Sequence, residues 1–285
     1  MALFRLAAVA VVALLGLAGC SPSPPPKGST QTPQSEGASL DVRWGDTHHR
    51  YTTRQLLAHP GLVKVTVKQD AAYPNPGFTY QAIPLIRLFE GAPVEADASL
   101  AYQCKDGFAS NLPAPLALNR NPDASRAYLA IESPEDPWPA LQGKSTTAGP
   151  FYLIWEDPER SGVGREQWPF QLTQLSLQPS LAKLYPDLLP PKSDARAQRG
   201  YEAFVKNCFP CHTLNHQGAS HFGPDLNLPM NPTRYFARDV LKKFIRDPRS
   251  VRSWPGMQMV AFGPEVLPDG QLEDLIHYLE QMARR

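Results

Sequence analysis

Two cysteines and a histidine near the C-terminus form the pattern with the most specific chemistry in this sequence. They are Cys208, Cys211 and His212, in the spacing Cys-x-x-Cys-His. On a helical turn, residues i, i+3 and i+4 face the same side, so two thiols and an imidazole would converge. This pattern is typical of covalent haem c attachment, in which the thiols bond to the vinyl groups and the imidazole lies beneath the iron. We therefore predict one covalently bound haem c with His212 as an axial ligand.

Two other uses of a Cys-x-x-Cys pair fit this sequence less well. A structural zinc site needs a second pair of ligands at matching spacing, and no further cysteine follows Cys211. A thioredoxin-like redox pair needs a βαβ context, which the pattern around Cys208 does not have. Haem attachment is therefore the favoured interpretation.

The motif lies in a C-terminal region whose pattern is helical. We predict helices over residues 195–207, 235–246 and 271–283. In the last of these Leu272, Leu275, Ile276 and Leu279 follow the i, i+3, i+4, i+7 pattern of one apolar stripe. The sequence thus predicts an all-α domain over residues 195–285.

Residues 195–285 resemble a class I cytochrome c. Gly200 and Phe204 precede the motif as in the N-terminal helix of that family, which implies that they pack against an aromatic residue of the last helix, here Tyr278. The run Gly223-Pro-Asp-Leu226 is similar to the family loop whose proline carbonyl accepts a hydrogen bond from the axial histidine. The resemblance therefore implies that Pro224 fixes the orientation of His212.

A second stretch resembles the family segment that carries the distal iron ligand. Met259-Val-Ala-Phe-Gly263 is similar to the Met-Pro-Ala-Phe segment of the family, with valine in place of proline at position 260. The resemblance implies Met259 as the distal ligand, with Met257 as the alternative. A His/Met pair raises the reduction potential and leaves no open position for a substrate, which suits electron transfer. Weaker ligand candidates, which we expect to be surface-loop residues, are Met230, His216 and His221.

Ser253 and Trp254 precede the two methionines. Such residues face a haem propionate in similar cytochromes, so the resemblance implies Trp254 as a cofactor-binding residue. Ordinary packing is an equally good interpretation of this pair.

The N-terminus has the pattern of an export signal. Residues 6–19 form a 14-residue apolar run, shorter than the ~20 residues that a spanning helix needs. Leu17-Ala-Gly-Cys20 resembles the lipobox of bacterial lipoproteins, which implies cleavage after residue 19 and lipidation of Cys20. An ordinary cleaved signal is the alternative. Residues 20–38, rich in Pro, Ser, Gln, Thr and Gly, are predicted to be a flexible lipid-anchored linker.

Residues 39–180 have the pattern of a β-rich α+β domain. Short apolar runs at 62–69, 100–104, 128–131, 151–155 and 170–177 are bounded mostly by Pro, Gly, Asn or Asp, as strands are. Brief helices are predicted over 54–59 and 85–90.

The chain has 31 prolines in 285 residues, about twice the usual ~5%, which excludes a fold of long helices. A proline-rich linker, 181–194, separates this domain from the helical one.

This middle domain loosely resembles the molybdopterin-binding domain of the sulfite oxidase family. That family places a metal-binding cysteine at the end of a strand, where residues 65–73 of this chain have none and carry Gln69 and Asp70. Cys104 follows the predicted helix over residues 85–90, whereas the metal-binding cysteine of the family precedes that helix. The resemblance thus implies a degenerate relative that has lost the cofactor. It rests on the segments 82–89, 106–108, 127–132, 149–154 and 166–168.

Taken together, the patterns predict a multidomain protein on the periplasmic side of a bacterial membrane. We expect it to carry single electrons to or from a redox partner protein, with a non-catalytic middle domain that docks a partner or ligand. The alternative is a molybdenum-dependent oxidoreductase of sulfite dehydrogenase type with a fused haem acceptor, and a third interpretation is an accessory protein with a redox-sensing haem.

The net charge of +1 argues against nucleic-acid binding. Residues 39–194 carry a charge of −3 and residues 195–285 carry +3, which favours contact between the two parts or an acidic partner.

Overall fold

The structure is a computed structural model that describes residues 37–285 except 69, 75–77 and 221. The predictions for the signal peptide, Cys20, the linker up to residue 36, Gln69 and His221 lie outside these described residues. The predicted domain boundaries stay a prediction.

The strands of the described residues form two sheets in the first part of the chain. The five-stranded sheet has the order β2-β1-β9-β5-β6, in which only β1 and β9 pair in parallel. The four-stranded sheet, β3-β4-β7-β8, is antiparallel throughout. The strands are β1 (Ser39–Trp44), β2 (Thr47–Thr52), β3 (Val63–Val67), β4 (Phe78–Pro84), β5 (Ser99–Cys104), β6 (Ala109–Pro113), β7 (Arg126–Ile131), β8 (Phe151–Glu156) and β9 (Leu172–Gln178).

A continuous apolar core explains why several strands lack a polar face. All the residues of β7 after Arg126 are buried, and so are the first five residues of β8. These strands were predictable from their apolar runs, as were β3, β5 and β9. On β3 Val65 and Val67 are buried, whereas Val63 is exposed. Strands β1, β2, β4 and β6 were missed. For β2, pairing with β1, and not hydropathy, places Thr-His-His-Arg-Tyr-Thr in the sheet.

Short helices connect the strands, and longer ones fill the C-terminal part. Thr52 caps the first helix through a reciprocal hydrogen-bond pair with Gln55. The α-helices are α1 (Thr53–Leu57), α2 (Ala114–Ala117), α3 (Leu181–Leu184), α4 (Ala195–Asn207), α5 (Pro232–Tyr235), α6 (Arg238–Arg246), α7 (Pro248–Val251) and α8 (Asp269–Met282). Short 3₁₀ turns lie at Leu85–Phe89, Pro158–Ser161, Arg165–Gln167 and Pro186–Leu188.

The predicted helix over residues 235–246 is wrong at its start. The chain instead forms α5 and α6, separated by extended residues 236 and 237. Asn231 starts α5 early, because its side chain accepts from the Thr233 amide while it also donates to the Leu279 carbonyl of α8. Phe236 then leaves the helix and stacks on Phe244, with ring centroids 5.3 Å apart. A tertiary contact therefore overrides the helical pattern here.

Close contact between α4 and α8 organises the helical core. A Cβ at Gly200 would overlap the backbone of Asp274, so only glycine permits this approach. The ring of Phe204 lies 5.4 Å from that of Tyr278, as the family resemblance implied. Tyr278 also donates to the carbonyl of Leu188, which is buried in this core. The predicted linker therefore packs on the helical core.

Basic residues of α4 and α6 pair with acidic residues of α8. Glu273 forms ion pairs with Arg238 and Lys242, and Asp274 pairs with Arg196 and Arg199. Hydrogen bonds from Lys242 and Arg238 lower the pKa of Glu273 to about 2. These pairs are partly exposed, so each contributes modestly to stability.

No helix in the described part of the chain is both long and apolar enough to cross a bilayer.

Candidate haem site

The Cys-x-x-Cys-His segment continues from the end of α4. The amides of Cys211 and His212 both donate to the Cys208 carbonyl, at 3.0 and 2.9 Å. This turn holds the two cysteines and the histidine at helical spacing, as the motif predicted. The two cysteines form no disulfide with each other.

The electrostatics of the two thiols differ from those of a redox or zinc pair. Burial, with a smaller contribution from the neighbouring Cys211, raises the pKa of Cys208 to about 12. Burial also raises the pKa of Cys211, to about 11, with a contribution from Glu166 of the β-rich region. Reactive and metal-binding cysteines have lowered pKa values. The raised pKa values therefore argue against a thiolate redox pair or zinc pair at these two positions.

The loop at residues 223–224 holds the imidazole of His212. Its Nδ1 lies 2.8 Å from the Pro224 carbonyl oxygen, the hydrogen bond that the family resemblance implied. A Cβ at Gly223 would overlap the imidazole ring, so the loop approaches the ring as closely as glycine allows. Because the Pro224 carbonyl uses Nδ1, Nε2 is the ring nitrogen left to bind iron.

Burial also favours the neutral form of His212. It lowers the pKa of the imidazole, although the Pro224 carbonyl and Asp225 act in the opposite direction. Neutral imidazole is the form that binds a metal. A helical Cys-x-x-Cys-His turn with one ring nitrogen held and the other available fits covalently bound haem c.

Asp225 anchors the loop, a role that sequence reasoning missed. Its carboxylate accepts hydrogen bonds from the Asn215, His216, Asn227 and Leu228 amides and from the Thr213 hydroxyl, at 2.8–3.2 Å. Burial alone would raise the pKa of Asp225, but these hydrogen bonds hold it below its usual value. In the sequence, only the position of this aspartate directly after Pro224 indicates such a role. Its hydrogen-bond partners come together only when the loop is folded.

The candidate distal residues lie in the loop between α7 and α8. Met257 is buried, while Met259 is half-buried and packs against the helical core. Met259 stays the predicted ligand and Met257 the alternative. Trp254 is exposed, with the Arg252 guanidinium 5.2 Å from its ring centroid, and its role toward a propionate stays a prediction. Met230 and His216 are exposed loop residues, as expected.

Asp70, at the predicted metal position of the β-rich region, is enclosed by hydrogen-bond donors. It is 4% exposed. One carboxylate oxygen accepts from the amides of Ala72 and Tyr73 and from the Tyr152 hydroxyl, and the other accepts from the Tyr80 hydroxyl at 2.6 Å. Asp70 therefore serves as the acceptor at the centre of a buried network. The described residues contain no cluster of three or more His, Cys, Asp or Glu side chains able to hold a metal ion.

Cys104 ends β5 in the other sheet. It is buried, and burial, followed by the nearby Asp106, raises the pKa of its thiol well above the usual value. A buried thiol of this kind behaves as a small apolar side chain.

Comparison with known proteins supports the helical site. Residues 197–283 match the family model of cytochrome c. No curated protein and no solved structure matches the chain. The match covers the attachment turn, the Pro224 loop and both methionines, and it implies covalently bound haem c. Residues 197–283 therefore form a cytochrome c domain, whose covalently bound haem is an electron-transfer cofactor.

Proposed function

We propose that this protein is a lipid-anchored periplasmic carrier of single electrons whose β-rich region is non-catalytic and docks a partner or ligand. The observation that carries the proposal is the attachment turn, in which Cys208 and Cys211 are followed by a histidine held by the Pro224 carbonyl. Haem c supplies a one-electron couple when bound. The protein's own contribution is to hold that group covalently and to orient its axial ligands.

In this proposal the haem iron would be held by His212, through Nε2, and by Met259, through Sδ. With two side chains bound to it, the iron would have no open position for a substrate. The pair therefore favours electron exchange over ligand activation.

The two methionines give a direct test of the axial assignment. Met259→Ala should abolish the weak sulfur-to-iron charge-transfer band of the ferric protein, while the matched variant Met257→Ala should retain it. Visible and near-infrared absorption spectra measure both. The reverse result would assign the distal position to Met257, and loss in neither variant would remove methionine ligation from the proposal.

Two observations support a β-rich region without metal chemistry. The Asp70 carboxylate already accepts four hydrogen bonds, so binding a metal there would break a buried network. Cys104, the soft ligand closest in type to the one that the sulfite oxidase family uses, lies in the opposite sheet from β3 and β4. The loose resemblance to that family therefore fits a relative that keeps the fold without the cofactor.

Molybdenum analysis of the protein isolated from its native host tests this part. A known molybdoenzyme from the same cells controls for cofactor supply. We expect no molybdenum above background. Stoichiometric molybdenum that is lost in Cys104→Ser would instead support the fused molybdenum oxidoreductase.

The membrane location rests on the lipobox-like run that ends at Cys20. Multiple acyl chains would anchor the protein stably, where a single chain binds only marginally. We expect Cys20→Ala to move the protein from the membrane fraction to the soluble periplasmic fraction. If the variant stays in the membrane after a high-salt wash, lipidation is not the anchor.

A further inference from the structure

We infer that the β-rich region tunes the reduction potential of the haem iron through one aromatic contact, between Phe108 and Phe222. This inference rests on the haem function proposed above and goes beyond it, because it assigns the β-rich region an effect on the iron. In this view Phe108 is a positioning residue that acts through the loop holding His212.

The turn between β5 and β6 presents Phe108 in a fixed position. The Cys104 amide donates to the Phe108 carbonyl at 2.8 Å, and the Phe108 amide donates to the Asp106 carboxylate at 3.0 Å. Gly107 takes the positive φ of +91° that the turn requires. The Phe108 ring also lies 5.9 Å from that of Tyr102 on β5. Because both the backbone and the ring of Phe108 are held, this residue can fix the position of a side chain that packs against it.

The neighbour of Phe108 in the helical region is Phe222. The two ring centroids are 5.6 Å apart and the rings cross at 82°, an edge-to-face contact. Within the described residues, Phe222 makes no other ring contact. It is 39% exposed, and removal of the Phe108 ring would take away this aromatic contact.

Phe222 begins the loop segment that holds the axial histidine. The next residue, Gly223, donates from its amide to the Cys211 carbonyl at 2.7 Å and lies against the imidazole ring. Pro224 then accepts from His212 Nδ1. Asp225 fixes the far end of this segment inside the helical region. The segment around the Pro224 carbonyl therefore has two anchors in its own region, at Gly223 and Asp225, and one contact with the β-rich region, at Phe222.

A second contact fixes the β-rich region against the attachment helix. Lys206, near the end of α4, donates from Nζ to the Gly162 carbonyl at 3.2 Å. Tyr102 donates to the Glu166 carbonyl a few residues further along, which ties this loop to β5. The β-rich region thus makes one contact before the Cys-x-x-Cys-His turn, at Lys206, and one after it, at Phe222. A shift of the β5–β6 turn would therefore move the 222–224 segment relative to His212.

The consequence for the iron follows from the hydrogen bond at His212 Nδ1. A strong bond to the Pro224 carbonyl makes the imidazole a better electron donor, which stabilises ferric iron and lowers the potential. Removal of the Phe108 ring lets the 222–224 segment relax and weakens this bond. The potential should therefore rise, and the Nδ1 proton should exchange faster with solvent.

The test uses the full chain with its haem and compares Phe108→Ala, Phe108→Leu and the matched control Phe170→Leu. Phe170 is also a half-buried phenylalanine of the β-rich region, but its ring neighbours are within that region. Redox titration followed by the haem absorption spectrum gives the midpoint potential. We expect Phe108→Ala to shift the redox equilibrium at least threefold toward ferrous iron, ~28 mV at 59 mV per tenfold. Phe108→Leu should give a smaller shift and Phe170→Leu none.

A second measurement links the shift to the contact. In the ferrous protein, nuclear magnetic resonance should show several-fold faster exchange of the His212 Nδ1 proton in Phe108→Ala. Phe222→Leu should raise the potential as well, and the double variant Phe108→Ala/Phe222→Leu should shift it no further than the larger single shift, because both changes remove the same contact.

The outcomes separate this inference from the proposed function. If Phe108→Leu folds and leaves both the potential and the proton exchange at their original values, the inference is wrong, whatever the haem does. Additive shifts in the double variant would also overturn it. If the unsubstituted protein contains no haem with histidine ligation, the proposed function fails instead.

Discussion

The β-rich and helical regions each contain a polar side chain of a type that binds metals, but its hydrogen-bonding atoms are satisfied differently in the two regions. In the β-rich region, four hydrogen bonds from Tyr80, Tyr152 and two amides use both oxygens of Asp70. In the helical region, one bond to the Pro224 carbonyl uses one nitrogen of His212, and no hydrogen bond to Nε2 is found among the described residues. A fully satisfied group contributes to stability, whereas a half-satisfied one is available for chemistry.

The two regions also differ in how their elements are held together. Aromatic rings and buried hydroxyls hold the β-rich core together. The rings of Trp138 and Tyr80, for example, meet edge-to-face with their centroids 5.0 Å apart. In the helical region a smaller apolar core is supplemented by ion pairs between α8 and its neighbours. The same change in solution should therefore affect the two regions differently.

Loss of the attachment residues should have the largest effect. Cys208→Ser combined with Cys211→Ser removes both thioether positions, so we expect complete loss of covalent haem. Haem staining after denaturing electrophoresis measures it, with Cys104→Ser as the matched control that should keep full staining. Haem that remains covalently bound in the double variant would show that attachment uses another residue.

Removal of Asp70 should be the largest change to stability alone. In Asp70→Ala the hydroxyls of Tyr80 and Tyr152 and the Tyr73 amide lose their acceptor, while the part-buried Ala72 amide keeps only the Tyr152 hydroxyl. This should cost about 3–5 kcal/mol. Denaturant unfolding followed by tryptophan fluorescence measures this loss, because four of the five tryptophans lie in the β-rich region. The free energy of unfolding measured by haem absorbance should fall by less, because the haem site lies in the helical region.

The exposed Asp136 provides the control for Asp70. Asp136→Ala should change the free energy of unfolding by no more than ~0.5 kcal/mol. If Asp70→Ala is as stable as Asp136→Ala, the buried network does not support the β-rich core.

Gly200→Ala should give an intermediate effect, confined to the helical region. The new Cβ would overlap the Asp274 backbone and push α4 from α8, at a cost of about 1–3 kcal/mol. Thermal unfolding followed by haem absorbance measures it. Gly270→Ala is the matched control, because a Cβ there meets open space in the first turn of α8. Equal stability of the two variants would contradict the close contact between α4 and α8.

The ion pairs of Glu273 should give the smallest effect, and one that depends on pH. Hydrogen bonds from Lys242 and Arg238 lower its pKa to about 2, so the folded state favours the charged form. Its contribution is complete above the ordinary glutamate pKa of ~4.3 and is lost as the pH falls from there to about 2. Because the pair is partly exposed, Glu273→Gln should cost no more than ~1 kcal/mol near neutral pH.

Denaturant unfolding at pH 6 and at pH 2.5, followed by haem absorbance, measures this dependence. The difference between the original protein and Glu273→Gln should shrink at the lower pH, while Glu202→Gln on the exposed face of α4 should differ little at either pH. A difference that grows on acidification would have the wrong sign for a carboxylate with a lowered pKa.

The sequence by itself determined the attachment chemistry and the long elements around it. The Cys-x-x-Cys-His spacing is local, and one helical turn brings its members together without help from the rest of the chain. The bounds predicted for α4 are those observed, and five strands were predictable from apolar runs that must be buried. These features depend on neighbours within a few residues.

Only the tertiary structure decided which polar groups are satisfied and what touches the haem loop. Asp70 meets Tyr152, which is 82 residues away, and Phe108 meets Phe222 across 114 positions of the chain. The start of α6 was likewise set by the packing of Phe236 on Phe244 and by Asn231 on α8. Such contacts depend on how distant segments pair and pack, and no pattern of period two or 3.6 encodes them.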